Sequence, residues 1–302
     1  MPAERRPGMD HGLYGVSPIG ARKPLRWPDA ARLALWPIVY LEYWEIDPPA
    51  DAVRAPDVQG AWPVIHPDYR TYSHREYGSR VGIFRVIEAL DRHGLRATLA
   101  VNAAACARYR YVVDAALERG WEIAAHGTHA TRIISSRMTE AEERETIAQS
   151  IDAIERATGR RPRGWIGQDA GESERTPSLV AEAEFDYIGD WPNDDQPYRM
   201  TLARPLVSLP YQPEWDDLQL LWLRQVATPR YPAIIRDAFE CLHREGATSG
   251  RLLAMSIHPW LLGQANRIRY LDEALAAVCH EPGVWAATGT TIVDAFLAQE
   301  GP

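Results

Sequence analysis

The sequence predicts an α/β protein whose strands close into a (β/α) barrel of seven to eight strands, and two observations carry that expectation. Eight short apolar runs alternate with helical patterns along the 302 residues, which implies a mostly parallel sheet, and about eight such strands close naturally into a barrel. The polar residues that follow the runs also collect at one end of them: Glu42, Asn102, His126, Gln168, Asp190, Tyr211 and His258. In a barrel that end is the mouth, where catalytic groups sit.

The apolar runs are residues 33–41, 97–101, 121–125, 163–166, 185–188, 206–209, 252–257 and 284–287. A helix over 79–93 carries Ile83, Phe84, Ile87 and Leu90 on one face and stops at Gly94. Another over 139–158 opens with Thr139 and Glu142 at capping-box spacing, carries Ile147, Ile151 and Ile154, and ends at Gly159. Thr176-Pro177 reads as an N-cap followed by proline at the first helical position. The alternation breaks at 46–75, where Pro48, Pro49, Pro56, Pro63 and Pro67 stand among Trp62, His66 and His74 with no period. Such a stretch is expected to be a lid or an interface arm within one domain spanning 1–302.

Composition narrows the partners. A net charge of -8, with no lysine or arginine cluster interleaved with aromatics, excludes a nucleic-acid surface. The longest apolar run, 33–41, is far short of a membrane span. The basic N-terminus runs into polar and turn-forming residues where a signal peptide needs an apolar region, so a cytoplasmic protein is expected. Cys106, Cys241 and Cys279 are odd in number and lack C-x-x-C spacing, so neither a disulfide framework nor a structural zinc site is expected. Eleven tryptophans include Trp44, Trp191 and Trp260 beside strand ends, where Trp191 and Trp260 are candidates to line a substrate.

Imidazoles at strand ends have reason to be ligands or acid/base groups. A catalytic zinc or manganese ion needs three protein ligands and an open water position. Glu42 and His126 supply two, and His129, three residues on, is the candidate third. Without a metal, His126 would bond substrate or position water. Arg80 and Gln168 are further candidates for binding substrate, the latter at the second carbonyl or nitrogen of an imide; His66, His74 and His280 belong to no motif and read as surface or lid residues.

Several ordered segments resemble a known family: Tyr14-Gly15, Arg26-Trp27-Pro28, Glu76-Tyr77-Gly78-Ser79-Arg80, His126-Gly127, Arg161-Pro162-Arg163-Gly164-Trp165, the stretch from Gly189-Asp190-Trp191 to Tyr198, Pro210-Tyr211 and Ile257-His258-Pro259. Together they are similar to the polysaccharide-deacetylase superfamily, related to carbohydrate esterase family 4, and to its branch of allantoinases and cyclic imide hydrolases. The resemblance implies a distorted (β/α) barrel and hydrolysis of a C–N bond other than a peptide. It implies that His258 is the general acid toward the leaving nitrogen, that Glu42 is the base or holds the attacking water, or is a ligand if a metal is bound, and that Asp190 orients a catalytic partner or binds substrate. Asp194 and Asp195 follow in the same motif as candidates for binding substrate. It further suggests a homo-oligomer, a dimer or tetramer.

The chain departs from the metal-dependent deacetylases at their own motifs. Their aspartate pair is replaced by Glu42-Tyr43, the second histidine of their His-x-x-x-His pair by Ala130, and their Arg-Pro-Pro-Tyr-Gly segment by Ile166-Gly167-Gln168-Asp169. These losses point away from sugars toward ring opening of a small cyclic amide, with an N-acetyl sugar deacetylase and a catalytically silent ligand-binding barrel as the alternatives.

Overall fold

The computed structural model describes residues 11–50 and 67–300. Its sheet comprises β1 (Leu33–Leu41), β2 (Thr98–Val101), β3 (Glu122–Ala125), β4 (Gly164–Trp165), β5 (Tyr187–Ile188), β6 (Tyr198–Arg199), β7 (Val207–Ser208), β8 (Arg251–Ile257) and β9 (Val284–Ala286). The order is β6-β7-β5-β4-β3-β2-β1-β8, with β9 pairing β1. The register shows how β1 serves two neighbours: Leu33–Leu35 meet β9, whereas Ile38–Leu41 meet β2. The pairings are parallel except that β6 runs antiparallel to β7. The eight expected strands are present, and β6, too short to leave a pattern in the sequence, is added.

The sheet curls into a half-barrel, the distorted (β/α) arrangement expected. At the edge strand β8 the Leu252 N–H donates to the carbonyl of Asp195, three residues before β6, at 2.9 Å. Two cores follow from alternation along each strand. On β1, Leu33, Leu35, Val39 and Leu41 pack toward the helices. Ala34, Trp36, Ile38 and Tyr40 fill the barrel with Ala100, Ala124, Ile166, Leu209, Leu252 and Ala254. Deeper in, the Trp36 indole donates to Thr98 Oγ1 and Tyr187 OH to Glu122 Oε1. The interior is packed, so a substrate reaches only the mouth.

Helices α1 (Tyr69–Tyr77), α2 (Ile83–Arg92), α3 (Ala103–Arg108), α4 (Arg110–Glu118), α5 (Glu140–Thr158), α6 (Thr176–Glu182), α7 (Tyr231–Gly246), α8 (Ile268–Val278) and α9 (Gly289–Glu300) complete the fold. The capping box of α5 forms as expected, and Gly159 ends the helix at φ 69°. Thr176 is the first residue of α6 rather than its cap; its hydroxyl accepts from the Ser173 N–H at 2.8 Å. Phe84 is 44% exposed, and Val86 takes its expected place on the buried face of α2.

The expected structureless stretch is corrected from residue 69, where α1 begins, capped by Asp68 accepting from the Thr71 N–H. Residues 51–66, with Trp62 and His66, lie outside the described residues, and the lid or arm expectation with them. A π-helical turn, Gly78–Gly82, joins α1 to α2. A Cβ on Gly78 would lie 2.4 Å from Trp260 N, and one on Gly82 2.1 Å from the Pro259 carbonyl oxygen. These two glycines let the π turn lie directly on the segment after β8.

Candidate active site

The alternation that fills the barrel continues past each strand and builds its mouth. Tyr40 is the last interior side chain of β1, so Glu42 follows on the same face. By the same step Ala100 leads to Asn102, Ala124 to His126, Ile166 to Gln168, Leu209 to Tyr211, and Ala254 through Ser256 to His258.

Gln168 Nε2 donates to Glu42 Oε1 at 2.8 Å, and His126 Nε2 lies 3.7 Å from the same oxygen. Burial would raise the Glu42 pKa, but His126, His258 and Gln168 together bring it down to about 2, so the carboxylate is ionised. His126 Nδ1 donates to the Ile166 carbonyl at 2.5 Å. That bond fixes a proton on Nδ1, and buried Nε2, turned to Glu42, has no hydrogen-bond partner among the described residues. Asn102 fastens the frame, its amide donating to the His126 carbonyl while its Oδ1 accepts from the Tyr43 N–H at 3.1 Å.

His258 is held differently. Its Nδ1 donates to Asp217 Oδ1, and its ring stacks on Tyr40 with centroids 4.3 Å apart and planes 3° apart. Burial pushes its pKa down, but the charges of Asp217, Glu42 and Asp216 and the bond to Asp217 outweigh burial and bring it to about 9. The imidazolium is therefore the form present at neutral pH. The Tyr40 ring also lies 5.2 Å from His126, standing between the two imidazoles.

Asp190 supports this arrangement from behind. Its Oδ1 accepts from the Gly167 N–H at 2.6 Å and fixes the turn that presents Gln168. Asp169 and Ala170 there adopt φ of 50° and 51°, a left-handed strain of about 1–3 kcal/mol per non-glycine residue that surrounding structure must hold. Burial lifts Asp190 above the usual carboxylate range although its bonds to Gly167 and Glu172 pull it back, and burial together with the neighbouring Asp190 lifts Glu172.

Other expected residues stand elsewhere. Arg80 has a side chain 70% exposed and pairs loosely with Glu76 at 3.9 Å. Asp194 pairs with Arg22. Asp195 meets β8 at Leu252, six residues before His258, which at strand rise is ~20 Å from the mouth. Trp191 packs on Tyr14 at 5.6 Å, whereas Trp260 is in the wall of the site. His74, expected at the surface, is half-buried against Trp260 and Trp222. Asp217 and Arg75 were not anticipated from sequence. Asp217 sits in a 216–217 acidic pair with no period to mark it, and the signal for Arg75 was its place beside Glu76-Tyr77-Gly78.

The expected metal set, Glu42, His126 and His129, does not assemble. His129 turns toward Tyr43, ring centroids 5.8 Å apart, and its buried Nδ1 has no partner among the described residues. Among the described residues the donor groups that converge in threes are His93, Cys279 and His280, and Asp216, Asp217 and His258, neither of which includes Glu42 or His126. Two donors fall short of the three protein ligands a catalytic ion needs, so this donor set does not fit one.

Known proteins agree with this architecture. Residues 73–188 match the polysaccharide deacetylase family. A Schizosaccharomyces pombe protein bearing that family name is 29% identical over 247 residues, 74% of this chain and 75% of that one. The structure of a probable polysaccharide deacetylase from Pseudomonas aeruginosa PAO1 superposes with a TM-score of 0.83 at 27% identity, covering 95% of this chain and 99% of its own. PuuE allantoinase superposes with a TM-score of 0.82 at 26% identity, covering 94% and 98%. The fold is thus shared with a probable polysaccharide deacetylase and with PuuE allantoinase.

Proposed function

We propose that the protein opens a small cyclic amide, an imide, a hydantoin-like ring or allantoin, by attack of water on a ring carbonyl. The observation that carries this reading is the wall of the narrow space at Glu42, where the aromatic side chains of Tyr40, Trp44 and Trp260 stand with Arg75 and Pro259. A polymer lying across a site needs an open groove, whereas a small planar ring suits a narrow, aromatic-lined recess. The likeness to PuuE allantoinase supports the same reading.

In this scheme one water occupies the gap between Glu42 Oε1 and His126 Nε2, two acceptors 3.7 Å apart that match its two hydrogens. Glu42, held ionised by the Gln168 amide and the His258 charge, serves as a fixed charge. His126 Nε2 takes the proton as the water oxygen attacks the carbonyl carbon, and the Glu42 carboxylate stabilises the imidazolium formed. The tetrahedral intermediate then collapses, the C–N bond breaks, and His258 gives its proton to the departing nitrogen. A carboxylate and a freed amide or urea nitrogen result.

The second reading, removal of an N-acetyl group from a sugar, is favoured by the family match itself and uses the same groups. A turnover panel of succinimide, phthalimide, hydantoin, dihydrouracil, allantoin and an N-acetylglucosamine oligomer separates the two. Ring opening is the expected outcome; acetate release with every ring untouched reverses the order.

A further inference from the structure

One charged group in the wall has no part in that scheme. Arg75, on α1, lays its guanidinium 3.3 Å from the Trp260 ring centroid, 4.6 Å from Trp44 and 5.4 Å from Trp222. Indole faces are favourable neighbours for a guanidinium and hold it by cation–π attraction. Its Nε and Nη1 are closed off from solvent and have no hydrogen-bond acceptor among the described residues, although the residue as a whole is half-buried. Burial draws its pKa down to about 10, against the pull of Glu42 and Asp169, which leaves it charged at neutral pH. A buried cation with unanswered donors is costly to the fold. It borders the same small space as Glu42, so an oxygen brought in from outside the protein can answer it there.

We propose that the Arg75 guanidinium is the subsite for the carbonyl oxygen of the scissile amide and, after hydrolysis, for the product carboxylate. The attacking water oxygen and the carbonyl oxygen become the two oxygens of that carboxylate, and parallel N–H groups on a planar fork match such a pair. On the way, charge gathers on the carbonyl oxygen, and a cation already fixed by packing stabilises it without reorganising. The inference deepens the proposed function but needs only its C–N hydrolysis. A ring amide and an N-acetyl group both yield a carboxylate.

The three indoles around Arg75 report on the subsite directly. Titration of the protein's tryptophan fluorescence with acetate and with succinamate, at constant ionic strength, is expected to saturate, while chloride gives no saturable change. Arg75→Met is expected to weaken carboxylate binding at least tenfold, and Arg75→Lys, which keeps charge without the fork, to fall between. On any substrate the wild type turns over, Arg75→Lys is expected to lose kcat by at least tenfold with KM within threefold, because the contact strengthens in the transition state. Carboxylates that fail to bind the wild type, or that bind a folded Arg75→Lys and a folded Arg75→Met as tightly as the wild type, overturn the inference. If Arg75→Met does not fold, Arg75→Lys carries the test alone. Because the titration requires no turnover, inactivity toward every ring would sink the substrate reading and leave this one standing.

Discussion

Asp217 grips His258 at two points: Oδ1 accepts from the ring Nδ1 at 2.6 Å and Oδ2 from the backbone N–H at 2.8 Å. The second bond fixes where the strand end sits, and the first fixes which nitrogen carries the shared proton. Nε2 is thereby left as the nitrogen that can serve the leaving group.

Asp217→Asn removes the charge and keeps the shape. The high-pH limb of kcat/KM, set near the His258 pKa of about 9 in the free enzyme, is expected to move toward the ordinary histidine value of 6.5. Turnover at pH 8 is expected to fall by about 10²-fold, within the usual contribution of a positioned acid. A pH–rate profile with an unmoved limb would assign the proton donation to another group. The same pair contributes to stability: with the folded pKa above the unfolded one, its contribution is complete below pH 6.5 and is lost as pH rises through 9. Wild-type Tm is expected to decline across that window more than that of Asp217→Asn.

Glu42→Gln is nearly isosteric and tests the fixed charge. We expect kcat to fall by about 10²- to 10⁴-fold with the fold retained, since the charge acts on the proton transfer. The folded pKa of about 2 lies below the ordinary 4.5, so Glu42 stabilises the protein above pH 4.5 and that contribution disappears as pH falls toward 2. Acid unfolding followed by circular dichroism should show this component in the wild type and lose it in the variant.

Gly82→Ala places a methyl 2.1 Å from the Pro259 carbonyl oxygen. Because the obstacle is backbone, the π turn must lift from the segment after β8, at a cost of about 1–3 kcal/mol by analogy with overpacked cores. Denaturant unfolding is the measurement. A midpoint equal to that of the wild type would show that the contact is not tight.

The unassembled metal set has its own consequence. His126→Ala is expected to reduce kcat by about 10²- to 10⁴-fold, whereas His129→Ala is expected to stay within threefold of wild type. Dialysis against a chelator is expected to leave turnover unchanged. Activity lost on chelation, restored by zinc or manganese and sensitive to His129 would establish a coordination geometry other than the one described.

Much of this site was legible in the chain because a strand repeats every two residues. Once Trp36, Ile38 and Tyr40 are known to face inward, Glu42 must follow them, and His126, Gln168 and His258 obey the same count on their own strands. The counting stops where the strand stops. His129 was assigned by helical spacing, but the backbone after His126 turns through Gly127 at φ 72° and sends it toward Tyr43. Asp194 and Asp195 share a motif with Asp190, yet the chain between β5 and β6 carries them to the beginning of β8.

The alternation of apolar runs with amphipathic helices, and the polar residues at the ends of those runs, determined the barrel and the residues of its mouth from sequence alone, because both follow from local periodicity. Asp217 beneath His258, Gln168 on Glu42, and Arg75 among three tryptophans were decided only in the tertiary structure. Each of these pairs joins segments far apart in the chain, and the charge and proton state of its members depend on burial and on neighbours that only packing brings together.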